Sequence, residues 1–172
     1  MTLLNAKFVK KCALQLGFSH CGIARAKVLN VAQSRFEQSL KENRHAEMRF
    51  LERDVDKRFN PNLLLPGCQS VIVVLYNYYM CDEPASNRYR TARYTWIEKD
   101  YHALLSEKLE LLAHQILDAA ASYRITVDSS CISEKNWAVE AGVGCFGKNG
   151  IVHHDGGSFF VIGILLTDCA AP

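Results

Sequence analysis

The sequence predicts an α/β (α+β) domain in which a mixed β-sheet is flanked by helices, and three observations carry that expectation. Helix-period and strand-period segments alternate along most of the chain. The continuous apolar run Ser70–Asn77 suits a strand covered on both faces. Two short strand patterns around a glycine pair close the C-terminal end, which together with the alternation implies helices packed on a sheet. The 172 residues fit a single domain, 1–172. A chain of about that size buries roughly 70% of the surface it would expose unfolded, so a stable core needs no staples.

Taken in order, Leu4, Phe8, Cys12 and Leu16 repeat at helical spacing, and Gly17 is placed to end that helix. Residues 18–24 then read as a short strand. Val31, Phe36 and Leu40 mark a second amphipathic helix. Residues 58–67, with Pro61 and Pro66, read as irregular and lead into the strand at Ser70–Asn77. Residues 81–93 form a polar loop with Pro84 and several arginines, the best candidate for mobility. Asp100 is placed to cap the longest helix, whose buried face is Leu104, Leu105, Leu109, Leu112 and Ile116. Residues 123–127 read as a strand that delivers Asp128 at its tip. Ser133 is placed to cap a short helix running to Ala141, with Gly142 as its stop. Residues 150–154 and 158–166 read as two strands of a hairpin joined by Asp155-Gly156-Gly157. The last strand runs out in Ala-Ala-Pro, where a further segment is expected.

Composition excludes several function classes. Hydrophobic residues make up 49% and charged residues 22%, which is ordinary globular usage rather than disorder. The net charge of +2 comes with no long basic run, so charge alone predicts no strong nucleic-acid affinity. No apolar stretch approaches membrane-spanning length and no signal-peptide pattern opens the chain, which points to a soluble, cytoplasmic protein with no membrane partner. The seven cysteines (Cys12, Cys21, Cys68, Cys81, Cys131, Cys145, Cys169) are widely spaced, with no C-x-x-C pair. Neither a disulfide framework nor a zinc or cluster motif is indicated, and no metal site is expected.

Gly142, Gly144 and Gly147 spell G-x-G-x-x-G, and Lys148 and Asn149 extend this towards a phosphate loop. Both motifs need a strand before and a helix after, because the helix N-terminus holds the phosphates. Here a helix precedes and a strand follows, so the segment reads instead as a tight turn that lets backbone approach a large polar ligand. His153 and His154 are adjacent on a strand and point to opposite faces, so they cannot share a metal. Asp128 sits at a strand tip, where α/β folds open ligand crevices. Partial burial there would raise its carboxyl towards a general acid, while the alternative is a carboxylate that caps the Ser129-Ser130 turn. The segment from Arg88 to Tyr94 interleaves Arg88, Arg90 and Arg93 with Tyr89 and Tyr94, which suits stacking on bases or on a flat macrocycle; a solvated loop is the alternative.

Read together, these segments resemble the N-terminal domain of the epoxyqueuosine reductases. The matching pieces run in order through Gly17-Phe18, Cys21-Gly-Ile-Ala24, His45 with Glu47-Met48, Arg58-Phe-Asn-Pro61, Leu64-Leu-Pro-Gly67 and Ser70-Val-Ile72. They continue through Ala92-Arg-Tyr94, Asp100-Tyr-His102, Val127-Asp-Ser129, Ala141-Gly-Val-Gly144, Gly147-Lys-Asn149 and Gly157-Ser158. The resemblance implies a fold like that of nitroreductase-related cobalamin-processing domains. It implies an oxidoreductase that reduces epoxyqueuosine in tRNA to queuosine with cobalamin, fed by two 4Fe-4S clusters in a following ferredoxin-like domain. It makes Asp128 the proton donor, and it places Arg58, Arg93, Tyr94, Gly147, Lys148, Asn149 and Ser158 around the corrin. The chain departs from the family at Cys131, where proline is usual, at Cys145-Phe146, where tryptophan is usual, and at Gly150, where threonine is usual. Between Tyr94 and Asp100 it carries an extra residue and no glycine. The cluster cysteines are absent, so electrons are expected from a donor domain or protein. Two alternatives stand beside this reading: a non-catalytic corrinoid-handling protein and a nitroreductase-like flavin enzyme.

Overall fold

A computed structural model describes residues 3–79, 91–97 and 99–171. Along them run α1 (Ala6–Gln15), β1 (His20–Arg25), α2 (Asn30–Lys41), α3 (Val55–Phe59), β2 (Ser70–Asn77), α4 (Tyr101–Ile116), β3 (Tyr123–Thr126), α5 (Glu134–Glu140), β4 (Cys145–Phe146), β5 (Val152–His153) and β6 (Phe160–Thr167). Short 3-10 turns occupy Arg49–Glu52, Pro61–Leu63 and Arg93–Trp96. Cys81, Arg88, Tyr89, Arg90 and most of the loop read at 81–93 lie outside the described residues.

β2 is the axis of the fold because its apolar run is buried from Ser70 to Leu75. Successive side chains of a strand point to opposite faces. Val71, Val73 and Leu75 therefore pack with Ala24, Phe59, Trp137 and Ala138. Ile72 and Val74 pack on the other face with Val9, Leu105, Leu109 and Leu112. Burial of each such side chain contributes about 1.5–3 kcal/mol, and the sheet needs cover on both sides to collect it. α1 and α4 supply one cover, α3 and α5 the other. Gly163 of β6 lets α4 come close, with a Cβ there 2.9 Å from Leu109 Cδ1.

The helix-flanked sheet is as expected, and its strand order is β1-β2-β6-β3. Its ladders, however, are antiparallel, and the parallel pairing found is the isolated bridge of Leu3 to Ala170. The cause lies in the connections. β2 and β3 run the same way, as a crossover through the single helix α4 requires. β6 inserts between them, antiparallel to both, so no parallel ladder forms between the two.

Three details differ from the periodicity reading. In α1 the buried stripe is Val9, Cys12 and Ala13, while Phe8 is 48% exposed. α2 forms where expected but buries no residue; Val31 is 67% exposed, and Phe36 rests half-buried on Phe59, ring centroids 5.6 Å apart. The C-terminal hairpin is replaced by a different pairing. β5 pairs with β4, and the Asp155-Gly156-Gly157 turn closes one bridge, His154 to Gly157. β6 already carries β2 along its whole length and β3 over Ile164 to Thr167. β5 instead joins the segment brought beside it by the 147–151 turn, where Gly147 N–H donates to Ile151 O and Gly150 N–H to Gly147 O.

α4 and α5 lie where they were read, although the Ser133 side chain makes no capping bond to the backbone of α5 and accepts instead from Asn136 Nδ2. α4 is capped by Asp100, whose carboxylate accepts from His102 N–H, and it buries Leu105, Leu109, Leu112 and Ala113. α5 begins after Ser133 and is ended by Gly142 at φ +71°. Among the described residues no helix is long and apolar enough to cross a membrane.

β1 and the end of α5 meet so closely at Gly22 that a Cβ would stand 2.2 Å from Ala141 O and 2.6 Å from Val143 Cγ1. The obstacle is partly backbone, which cannot step aside as a side-chain tip can. Gly22→Ala is therefore expected to cost about 1–3 kcal/mol, read as a lower urea midpoint. An unchanged midpoint would mean that β1 and α5 are further apart than this.

Candidate active site

The ends of β2 and β3 and the start of β6 share one edge of the sheet. There β3 stops at Thr126 and the chain turns on Asp128, whose φ is +50°. Aspartate is one of the few non-glycine residues that enter this left-handed region readily. Ser129 N–H closes the turn onto Val127 O, and Asp128 N–H donates to Glu134 Oε1 at 2.8 Å. The Asp128 carboxylate accepts at 2.6 Å from the Tyr101 hydroxyl rather than capping its own turn. His102 Nε2 lies 3.9 Å from the same Asp128 oxygen. The other ring nitrogen of His102 is 2.8 Å from Asp100 Oδ1. The Asp100 cap thus sets the first turn of α4 so that Tyr101 and His102 both reach Asp128. The Asp128 side chain is 53% exposed, more open than the partial burial expected of it.

The ionisable groups around Asp128 are perturbed. Burial, followed by the bond to Asp128 and its charge, pushes the Tyr101 hydroxyl far above the usual phenol range. Burial also pushes Glu134 up to about 8, with the Asp128 charge adding to it. The hydrogen bond from His102 holds Asp100 below the ordinary carboxylate range.

From Tyr101 a line of rings runs along the edge. Tyr101 meets Tyr94 edge-on at 6.0 Å, Tyr94 meets Tyr78 at 6.4 Å, and Phe159 joins Tyr78 at 6.0 Å and Tyr79 at 5.2 Å. The Arg93 guanidinium stands 4.9 Å from the Tyr79 ring centroid, 5.0 Å from Trp96 and 5.8 Å from Phe159. Arg93 and Tyr94 therefore belong to the same wall as Asp128, and half-buried Ser158 leads directly into Phe159.

The glycine turn is tied to Asp128 through α5. Ser133 N–H donates to Arg58 O at 2.9 Å, Glu134 accepts from Asp128 N–H, and Lys135 Nζ donates to Gly150 O at 3.1 Å. Three consecutive residues thus hold three separate segments together. A Cβ on Gly147 would lie 2.5 Å from His153 Nε2 and 2.9 Å from Asn149 Oδ1, so these two side chains would have to move aside to admit one. Asn149 Oδ1 caps its own turn by accepting from Ile151 N–H, and Lys148 is exposed. A helix precedes the glycine segment that starts at Gly142 and no helix follows it, as expected, but the short strand β4 lies within the segment, so the 147–149 turn joins β4 to β5.

Arg58 is the candidate that does not join the wall. Its guanidinium donates to Phe50 O and lies over Phe36, facing α2. A groove of about 760 Å³ on that side is lined by Val28, Val31, Phe36, Phe59, Val139 and Phe146 among others, and it adjoins the candidate set beside Arg58 and beside Gly147. Among the described residues no group of three or more His, Cys, Asp or Glu side chains could hold a metal ion.

Sequence reasoning missed Glu134 and gave Tyr101 no role. Tyr78, Tyr79 and Phe159 were also missed, although the first two directly follow the apolar strand and the last precedes β6. A wall of rings bearing one guanidinium, next to a turn that exposes backbone, fits a large flat ligand with amide substituents. Thr126 Oγ1 and Ser130 Oγ, buried around the Asp128 turn without a partner among the described residues, leave polar capacity for such a ligand.

The family model described as "Epoxyqueuosine reductase QueG, DUF1730" matches residues 58–129. An epoxyqueuosine reductase of Leadbetterella byssophila is 37% identical over 166 residues, which cover 95% of this chain and 55% of the relative. A crystal structure of an epoxyqueuosine reductase with an epoxyqueuosine-modified tRNA-Tyr stem loop superposes with a TM-score of 0.81 at 24% identity, covering 96% of this chain and 46% of the other. A Bacillus subtilis epoxyqueuosine reductase, in a structure with the catalytic loop bearing its aspartate swung out of the active site, gives a TM-score of 0.74 at 25% identity, covering 94% of this chain and 44% of the other. The chain spans about half the length of the curated relatives it matches.

Proposed function

We propose, from its similarity to the epoxyqueuosine reductases in sequence and in fold, that this chain forms the cobalamin- and substrate-binding part of a tRNA-modifying reductase that converts epoxyqueuosine to queuosine at the wobble position. The observation that carries the reading is the Asp128 carboxylate, held at 2.6 Å by Tyr101 next to the wall of Tyr94, Tyr78 and Phe159. The tRNA stem loop bound by a structural relative supports an RNA partner, and the loop that leaves the active site of the B. subtilis enzyme supports an Asp128 turn that moves.

Removing an epoxide oxygen to leave an alkene consumes two electrons and two protons and releases water. Cobalamin, when bound, supplies the electrons through its cobalt, and these must arrive from a donor domain or protein. Everything else falls to this chain. Arg93, Tyr94 and Phe159 offer a flat face, and Lys148 with the exposed backbone of its turn offers donors for the corrin's amide groups. Asp128 gives a proton to the leaving oxygen, a role worth about 10²–10⁴ in rate. Tyr101, kept protonated by its surroundings, donates to Asp128 Oδ2 and so orients the carboxyl. His102, 3.9 Å from that oxygen and about half exposed, is placed to pass a proton in from solvent.

The test is a titration of the purified chain with cobalamin, followed by visible spectrum and heat. Saturable binding with the spectral change of losing the lower axial base is expected. Arg93→Ala is expected to weaken it roughly tenfold, since a cation–π contact is worth about 0.5–2 kcal/mol. A protein that takes up flavin and no corrin would overturn the reading.

A further inference from the structure

We propose that Glu134 is a positioning residue that latches the Asp128 turn in place while its carboxyl is protonated, and that the latch loosens as Glu134 ionises. The inference rests on the reading of Asp128 as the proton donor. Its basis is geometric. Asp128 stands in a left-handed conformation at φ +50°, and its N–H, directed at Glu134 Oε1 at 2.8 Å, ties the backbone of this turn to α5, while its side chain accepts from Tyr101 of α4. Glu134 is half-buried beneath the turn, in the first turn of a helix that also grips Arg58 O through Ser133 and Gly150 O through Lys135. The anchor is therefore rigid, and the turn is the part able to move.

The protonation state of the anchor decides how well it holds. A neutral carboxyl accepts from the Asp128 N–H through its carbonyl oxygen and keeps a proton to share with the Asp128 carboxylate. An ionised one still accepts, but it brings a second negative charge beside Asp128 in a half-buried place. The charged and titratable groups around the pair are Asp128 on the turn, Tyr101 and His102 from α4, Arg58 behind the Ser133 amide, and Lys135 on Glu134's own helix. Of the cations, Lys135 is engaged with Gly150 O and Arg58 with Phe50 O. Burial and the Asp128 charge accordingly push Glu134 up to about 8 when the turn is in.

With the turn out, Glu134 loses both influences and returns towards the ordinary carboxylate value of about 4.3. A carboxyl whose affinity for a proton is higher in one state stabilises that state at low pH. The turn is thus held most firmly below about 4.3, and the hold is lost progressively as pH rises from there to about 8. Between those two values each pH unit multiplies the out-to-in ratio by up to roughly ten, and above about 8, where both states are ionised, the ratio levels off.

The experiment is ¹³C-detected NMR of the 172-residue chain between pH 5 and 9.5, which avoids amide exchange. It reads the Glu134 side-chain carboxyl and the Asp128 Cα, whose shift reports the left-handed backbone. The expected result is that the Glu134 carboxyl titrates near 8 and the Asp128 Cα moves with the same midpoint. In Glu134→Gln the amide oxygen still accepts and its NH₂ still faces Asp128, so the Asp128 Cα shift should stay at its pH 5 value throughout. Glu134→Asp, which shortens the arm, should move the Asp128 Cα at every pH. A Glu134 carboxyl that titrates near 4 to 5, or an Asp128 Cα that moves equally in Glu134→Gln, overturns the proposal. No cobalamin or tRNA is involved, so a chain that fails to bind corrin but shows this linked titration would sink the functional reading and leave the latch standing.

Discussion

Asp128→Asn is expected to lower epoxyqueuosine reduction by about 10²–10⁴-fold while leaving stability within about 0.5 kcal/mol. On the role proposed for Asp128, the variant is informative because it removes the transferable proton and little else. Asparagine enters the left-handed region at least as readily as aspartate, so the turn at φ +50° survives. Its side-chain oxygen can still accept from Tyr101, and its backbone N–H still reaches Glu134. The side chain is more than half exposed, so no buried charge is created or lost. The measurement is product formation in modified tRNA by the reductase supplied with cobalamin and its electron donor, with the cobalamin titration run alongside. Full activity with normal cobalamin binding would show that the proton comes from elsewhere, and His102 would be the next residue to change.

How much of this was legible in the sequence depended on whether the signal was local. β2 and α4 announced themselves, one through an unbroken apolar run and the other through Asp100 followed by leucines at helical spacing, and both stand where they were read. The position of Asp128 followed from the same local logic, as the residue after an apolar strand. Direction was less legible. Alternating helices and strands suggest parallel neighbours, but β6 enters between β2 and β3 and separates the pair that α4 connects. The hairpin reading failed for a related reason, because a turn-forming sequence shows where a chain reverses and not which edge remains open to it. Glu134 was invisible because nothing distinguishes it from any acidic residue in a helix's first turn. Its role arises from the amide of a residue six positions earlier, presented by a backbone conformation that no pattern reports. Arg58 shows the converse: a motif match put it near the ligand, but its guanidinium points towards α2, with one nitrogen on Phe50 O and the group over the Phe36 ring.

Trp137→Ala is expected to cost about 3–5 kcal/mol and to dismantle the site before the fold is lost. Trp137 is wholly buried on the inner face of α5, in the cluster formed with Val71, Val73, Leu75, Ile164 and Leu166. Truncation would remove the largest side chain holding this seven-residue helix to the sheet. A helix of that length has little stability of its own and depends on the packing of its apolar face. The same helix carries half-buried Glu134, one turn before Trp137, and exposed Lys135, so slack at Trp137 reaches the Asp128 turn and the Gly147–Asn149 turn together. Trp137→Phe separates packing from polarity. The indole N–H finds no partner among the described residues, so phenylalanine gives up volume without breaking a bond and should cost clearly less than alanine. Urea denaturation measures the first effect, and the Asp128 and Gly147 resonances measure the second. If Trp137→Ala lowers the midpoint but leaves those resonances in place, α5 is held by its neighbours rather than by its tryptophan. If both change in step, the core under α5 sets the geometry of the site.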